Sequence, residues 1–233
     1  MRQDVRVSTA ARVYGGKSGD ERRVERRRRL LDAGLELLGT EGLSGTTLRK
    51  VCDTAGLPPR YFYENFADID ALNVAVFDSL LEELIRQSFV SVAQSPTELA
   101  AQVRAALRCA IDFVSDDPRK GRIALSLALA SRPLAERRSR ATELITTIIA
   151  DLGNDYVSAD ADQAQLDTVA RFFVGGFAEI LAAWMDDPST ATREELLDNC
   201  TRLFLAVTST VLNAEPTTTG TRDSFENRGS STV

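Results

Sequence analysis

Two short stretches near the N-terminus carry residue types whose order suits contact with a polyanion. In Thr46-Thr47-Leu48-Arg49-Lys50-Val51, hydroxyls and basic groups open an apolar-periodic segment whose Leu48 and Val51 face inward. The first N–H groups of a helix have no carbonyl partner within it, so Thr46, Thr47, Arg49 and Lys50 are candidates for holding phosphate. In Leu57-Pro58-Pro59-Arg60-Tyr61-Phe62-Tyr63-Glu64-Asn65-Phe66, Phe62 and Phe66 lie four apart and lock one face of a short helix to a core. Arg60, Tyr61, Tyr63 and Asn65 are left pointing outward behind Pro58 and Pro59. Their donors and acceptors suit base edges and backbone oxygens.

Other chemistries are poorly supplied. The 233 residues include no histidine, which removes the commonest general base and the commonest zinc ligand. No catalytic group, metal site or cofactor is expected. The three cysteines, Cys52, Cys109 and Cys200, are scattered without CxxC spacing and read as small core residues of a reduced cytosolic protein. An all-α enzyme or lipid carrier would need ionisable groups gathered on one inner face, and no such gathering is visible.

The net charge of −6 hides two unlike parts. Residues 1–60 hold 13 Lys+Arg against 8 Asp+Glu, and residues 61–233 hold 15 against 26. A basic head on an acidic body assigns contact with nucleic acid to the head alone, because phosphate contacts supply most non-specific affinity.

Periodicity then gives the elements that must position these groups. Leu30, Ala33, Gly34, Leu37 and Leu38 recur at helical spacing behind a charged first turn, in a helix that ends between Gly39 and Gly42. A second helix spans Thr47 to Ala55 with Gly56 as its stop, and a third opens at Pro58-Pro59 and ends near Asn65. Asp68 caps a long fourth helix, and further helices are expected at 97–115, from Asp117-Pro118, and at 133–153, 161–186 and 192–213. Ile123, Leu125, Leu127 and Leu129 alternate as in a strand, yet a lone strand has no partner, so helix is expected there too. The fold class is therefore all-α: tail 1–20, helix-turn-helix head 21–67, helical body 68–213 and tail 214–233.

From Arg27 to Phe77 the chain resembles, without a gap, the TetR family of bacterial one-component regulators. The resemblance rests on Ala33 to Leu38 of the first helix, Gly42-Leu43-Ser44-Gly45-Thr46-Thr47, the Ala55-Gly56-Leu57 turn and Phe62-Tyr63-Glu64-Asn65-Phe66. It implies a ligand-responsive repressor that an effector releases from a palindromic double-stranded DNA operator, with an activator or a ligand-independent DNA-binding regulator as the alternative. It further implies that Thr47 and Tyr63 meet phosphates, that Arg60 and Tyr61 read base edges, and that Asn65, where the family often has histidine, meets the backbone. Ile69 stands between Asp68 and Asp70 where the family commonly has a phosphate-binding lysine. The arginines at 22, 23 and 26–29 are expected to compensate, through the minor groove.

In the body, Val169 to Met185 is apolar almost all round, interrupted by Arg171 and Glu179, which argues against a membrane span. The last helix directs Leu196, Leu197, Cys200, Leu203, Phe204, Val207 and Val211 inward and leaves Leu205 over. Such two-faced helices point to a homodimer. The resemblance places an effector pocket among the middle helices, where Phe77, Leu81, Phe113, Leu127, Ile148, Phe173, Phe177 and Trp184 are the candidate lining. Their character favours a hydrophobic small molecule. Arg119, Lys120, Arg122, Arg137, Arg138 and Arg140 read as solvated surface, with an anionic headgroup as the alternative. A soluble, cytoplasmic protein is expected.

Overall fold

The structure, a computed structural model, describes residues 18–127, 130–153 and 163–212. Both expected tails, apart from Ser18, Gly19 and Asp20, lie outside them, as does Leu129. Among the described residues there is no strand. The chain runs through α1 (Gly19–Gly45), α2 (Leu48–Ala55), α3 (Pro59–Tyr63), α4 (Ile69–Ala93), α5 (Leu99–Ser115), α6 (Pro118–Gly121), α7 (Arg132–Gly153), α8 (Gln163–Asp186) and α9 (Arg193–Leu212). A π-helical turn, Arg122–Ser126, follows α6, and a 3₁₀ turn, Pro188–Thr190, separates α8 from α9.

α1 begins at Gly19, at a capping box. The Ser18 hydroxyl accepts from the Glu21 N–H, and the Glu21 carboxylate accepts from the Ser18 N–H. Its regular part ends at Gly42, whose φ of 76° belongs to the left-handed region, before one further turn reaches Gly45. The Thr47 and Asp68 hydrogen bonds start α2 and α4, and Gly56, at φ 61°, ends α2.

Leu30, Leu38, Val51, Phe62 and Leu72 are fully buried, and one continuous apolar cluster runs from them through α4 and α5 to Phe204 on α9. Head and body thus share a core along α1 and α4. Two glycines make the close approaches. A β-carbon on Gly34 would stand 2.8 Å from Val76 of α4, and one on Gly39 would stand 2.3 Å from the Arg119 β-carbon of α6. The alternating stretch is the π-helical turn: Ile123 is buried, Arg122 and Ser126 are exposed, and the Leu127 N–H reaches the Arg122 carbonyl five residues back.

α6 is only four residues long and depends on its cap. The Asp117 carboxylate accepts from the Arg119 N–H and pairs with its guanidinium at 2.8 Å, which holds the carboxyl below the usual carboxylate range. A lowered carboxyl pKa stabilises the fold above the ordinary carboxylate range, and that contribution fades as the pH falls through the lowered value.

On α9 one expectation is corrected. Leu203 is 51% exposed, whereas Leu205 packs against the core. At 100° per residue the inner stripe is Leu196, Leu197, Cys200, Thr201 and Phe204, and it leaves Leu203 outside.

Glycine to alanine inside a helix ordinarily stabilises by up to about 1 kcal/mol. Gly39→Ala is expected instead to destabilise by about 1–3 kcal/mol, because the added methyl meets the Arg119 backbone side of α6. Urea denaturation measures this; an unchanged or raised midpoint would show that α6 moves aside freely.

Candidate nucleic-acid interface and effector core

α3 has five residues and no side-chain cap; it is held by Phe62, fully buried, whose ring lies 5.7 Å from that of Phe66. That anchor turns the opposite face of α3 to solvent. Pro58, Pro59 and Arg60 are exposed there, and Tyr63 is 63% exposed. Arg60 donates to the Tyr61 hydroxyl at 2.8 Å and lies over its ring. Tyr61 is half-buried because the Arg26 guanidinium sits 4.5 Å from the same ring centroid. Asn65 is half-buried too, and its amide donates to the Tyr61 carbonyl at 2.7 Å, closing the end of α3.

At the start of α2, Thr47 is exposed and its hydroxyl oxygen accepts from the Lys50 N–H. Thr46 does not join it. Only 3% of Thr46 is exposed, and its hydroxyl donates to the Gly42 carbonyl at 2.8 Å, so its part is to close the turn behind the glycine. The Arg49 side chain is 92% exposed beside Asp53, and Lys50 pairs with Glu41. Exposed pairs of this kind contribute about 0–1 kcal/mol and exchange readily for phosphate.

In the arginine run of α1, Arg22 and Arg23 are exposed, and the next four arginines have partners within the head. Arg26 stacks on Tyr61 and pairs with Glu64 at 3.4 Å, and Arg27 lies over the Phe66 ring. Arg28 pairs with Glu25 and Asp32, and Arg29 donates to the carbonyls of Ala55 and Gly56. Positive charge at those carbonyls satisfies the exposed C-terminal end of α2. Arg26, Arg27 and Arg29 thus brace the helix-turn-helix, whereas Arg28 pairs only within α1.

The expected effector lining falls inside the packed body. Phe77, Phe113, Phe173 and Trp184 are buried, and Leu81, Leu127 and Phe177 are half-buried against the same cluster. On α7, Ile149 packs against that cluster and Ile148 is half-buried beside it. The rings of Phe173 and Phe177 are stacked, and the Trp184 indole donates to the Ala191 carbonyl at 2.7 Å. Two buried polar atoms of the body have no hydrogen-bond partner among the described residues: Asn73 Oδ1 on α4 and Thr146 Oγ1 on α7. Helical threonines commonly bond back to the carbonyl four residues earlier, as Thr142 and Thr147 do here; no sequence signal marks Thr146 as different. A separate open groove of about 450 Å³ lies between α4, α5 and α6, with Arg86, Val90, Cys109, Asp112, Phe113 and Lys120 among its walls. Only Phe113 belongs to both sets.

The basic residues considered for a headgroup are largely spent. Arg119 pairs with Glu36 and Asp117, Lys120 with Glu83 at 2.9 Å, and Arg137 with Asp78, while Arg122 donates to backbone carbonyls. Cys52 and Cys200 are core residues whose thiols burial pushes up; Cys109 is half-buried at the groove.

Residues 30–76 match the family model of bacterial regulatory proteins, tetR family. The N-terminal head belongs to the TetR family. Solved structures share the fold at low identity. A TetR-family transcriptional regulator from Streptomyces coelicolor is 18% identical, with a TM-score of 0.64, covering 81% of this chain and 82% of its own. The fatty acid degradation regulator FadR from Bacillus halodurans is 12% identical, with a TM-score of 0.66 over 77% of this chain and 94% of its own. FadR from Bacillus subtilis, solved in complex with stearoyl-CoA, is 11% identical, with a TM-score of 0.64 over 77% and 98%.

Within this TetR-type head, Ile69 is half-buried and packs against the core. Asp68 is engaged as the N-cap of α4, accepting from the Ala71 N–H at 2.8 Å. The position serves the seam between head and body, which accounts for an apolar residue there.

Arg29→Ala removes the donor from two backbone carbonyls and is expected to lower stability by about 1–3 kcal/mol. Arg23→Ala, at an exposed position of the same run, should stay within about 0.5 kcal/mol. Equal effects in chemical denaturation would contradict the bracing role.

Proposed function

We propose that the chain is a homodimeric repressor that grips a palindromic double-stranded DNA operator with two TetR-type heads and releases it when a hydrophobic small molecule enters the body. The observation that carries the reading is the outward array of Thr47, Arg49, Arg60 and Tyr63 on helices anchored from behind by Val51 and Phe62. Arg60 can read a base edge, whereas Thr47 and Tyr63 meet phosphates. Tyr61, held by two arginines, offers its hydroxyl beside Arg60.

Dimerisation is supported by an exposed stripe along α8, consisting of Thr168, Arg171, Phe172, Gly175, Gly176, Glu179, Ile180 and Ala183. Phe172 is 69% exposed, and Leu203 of α9 adds to the uncovered apolar surface. By length and composition α8 could cross a membrane, at a mean hydropathy of 1.3. Its other face, however, holds Phe173, Leu181 and Trp184 in the core, and Arg171 and Glu179 lie on the outer stripe. Both features favour a protein partner in a cytoplasmic dimer over lipid.

For the effector, the aromatic interior favours an apolar molecule, and the unpartnered Thr146 hydroxyl and Asn73 amide oxygen are polar groups available to orient it. The likeness to FadR, solved with stearoyl-CoA, makes long acyl chains the class to test first.

Sedimentation should find a dimer at micromolar concentration, and Phe172→Asp should split it; a wild-type monomer of 25.5 kDa that retains operator affinity would refute the interface. Selection from random duplexes should return an inverted repeat with half-sites about one helical turn, or a multiple of it, apart. On that operator Arg60→Ala should lose about 1–3 kcal/mol and relax preference at one base pair per half-site, with little change on random DNA. Tyr63→Phe should weaken operator and random DNA by similar factors. The reverse pattern would mean that the register of α3 is misassigned.

A further inference from the structure

We propose that Arg122, a residue of the body, is a positioning residue for the DNA-reading head: its guanidinium clasps the end of α1 and so fixes the angle at which the phosphate-facing start of α2 is presented. The inference rests on the operator reading above.

α1 stops its regular winding at Gly42, so the carbonyls just before it lack intrahelical partners. Arg122 fills that vacancy from the other domain, donating from Nη1 to the Gly39 carbonyl at 3.1 Å and to the Thr40 carbonyl at 2.9 Å. A delocalised cation at the negative end of a helix is the favourable charge there. Beside it Arg119 pairs with Glu36 of α1, and Gly39 lets α6 approach so closely that any β-carbon would collide. The clasp leads directly into the interface: Gly42 accepts from both the N–H and the hydroxyl of Thr46, and Thr47 follows as the cap of α2.

The body end of the clasp is firmly set. Ile123, next to Arg122, is fully buried, and the π-helical turn packs on α1, α4 and α8. A β-carbon on Gly121 would stand 2.7 Å from Met185 near the end of α8, the helix that carries the exposed stripe. A contiguous path therefore links the proposed dimer surface to the start of α2 through Met185, Gly121, Arg122 and Gly42.

Two heads on one duplex bind as linked modules, and the second contact is lost when geometry forbids it. The experiment compares wild type and Arg122→Ala on the selected operator, on the same operator with one or two base pairs inserted between half-sites, and on an isolated half-site. Each inserted pair turns one half-site by about 35°. Wild type should lose about a hundredfold or more on the altered spacing. Arg122→Ala should bind the half-site as wild type does, bind the native operator more weakly, and lose less than about tenfold on the altered spacing. Unchanged spacing discrimination would overturn the proposal, and so would equal loss on the half-site, which would make Arg122 a folding residue of the head. If thermal melting shows that Arg122→Ala does not fold, Arg122→Lys, which keeps the positive charge but loses the fixed fork of donors, takes its role. It should narrow the spacing penalty in the same direction, and a wild-type penalty there overturns the clasp. Failure of the wild-type protein to select any inverted repeat would instead remove the operator reading itself.

Discussion

Burial of Phe62 is the constraint on which the DNA-facing surface depends. A helix of five residues is too short to persist alone, because nucleation costs more than so few hydrogen bonds return. α3 exists because Phe62 and Phe66 are enclosed by the apolar faces of α1 and α2. Once that face is buried, helical geometry decides the rest: Arg60 and Tyr63 have only solvent to face. Arg26, Arg27 and Arg29 then tie Tyr61, Phe66 and the end carbonyls of α2 to α1, so two short helices with little intrinsic stability are fastened to a long one.

Arginine is used here less as a surface charge than as a fastener between backbone ends. Arg29 closes α2 and Arg122 closes α1, each reaching carbonyls that a helix end leaves without partners. A planar guanidinium suits this work because it offers several donors in a fixed fork. The basic character of the head therefore overstates the charge available to phosphate. On α2 and α3 the outward charge is Arg49, Lys50 and Arg60, two of which stand beside acids, and on α1 Arg22 and Arg23 are exposed as well.

Head and body are joined by packing as well as by chain. α1 and α4 belong to both, and the approaches at Gly34 and Gly39 leave no space through which one could slide past the other. A shift of α6 or α4 must therefore be felt at the end of α1, since dense interiors transmit displacement instead of absorbing it. α8 faces the same interior with Phe173 and Trp184 and turns Phe172 and the glycine pair outward. Its apolar composition suits the core on one face and the proposed dimer contact on the other.

Much of this was written into the sequence. Apolar spacing located α1, α2 and α4, proline and glycine punctuated α3, and the motif from Gly42 to Phe66 identified the helix-turn-helix, because these features depend on residues within a few positions of one another. The capping box of Ser18 and Glu21 is just as local, although Ser18, Gly19 and Asp20 read as part of the tail. The tertiary structure alone decided which polar groups were free. Thr46 and Thr47 are adjacent and chemically alike, yet one closes a turn and the other faces solvent, because both have extended backbone, in which successive side chains point to opposite sides. Likewise Leu203 and Leu205 exchanged their expected places, and Arg122 proved to serve a helix more than eighty residues earlier. Partners so distant in the chain leave no local periodicity; only the folded path brings them within hydrogen-bonding reach.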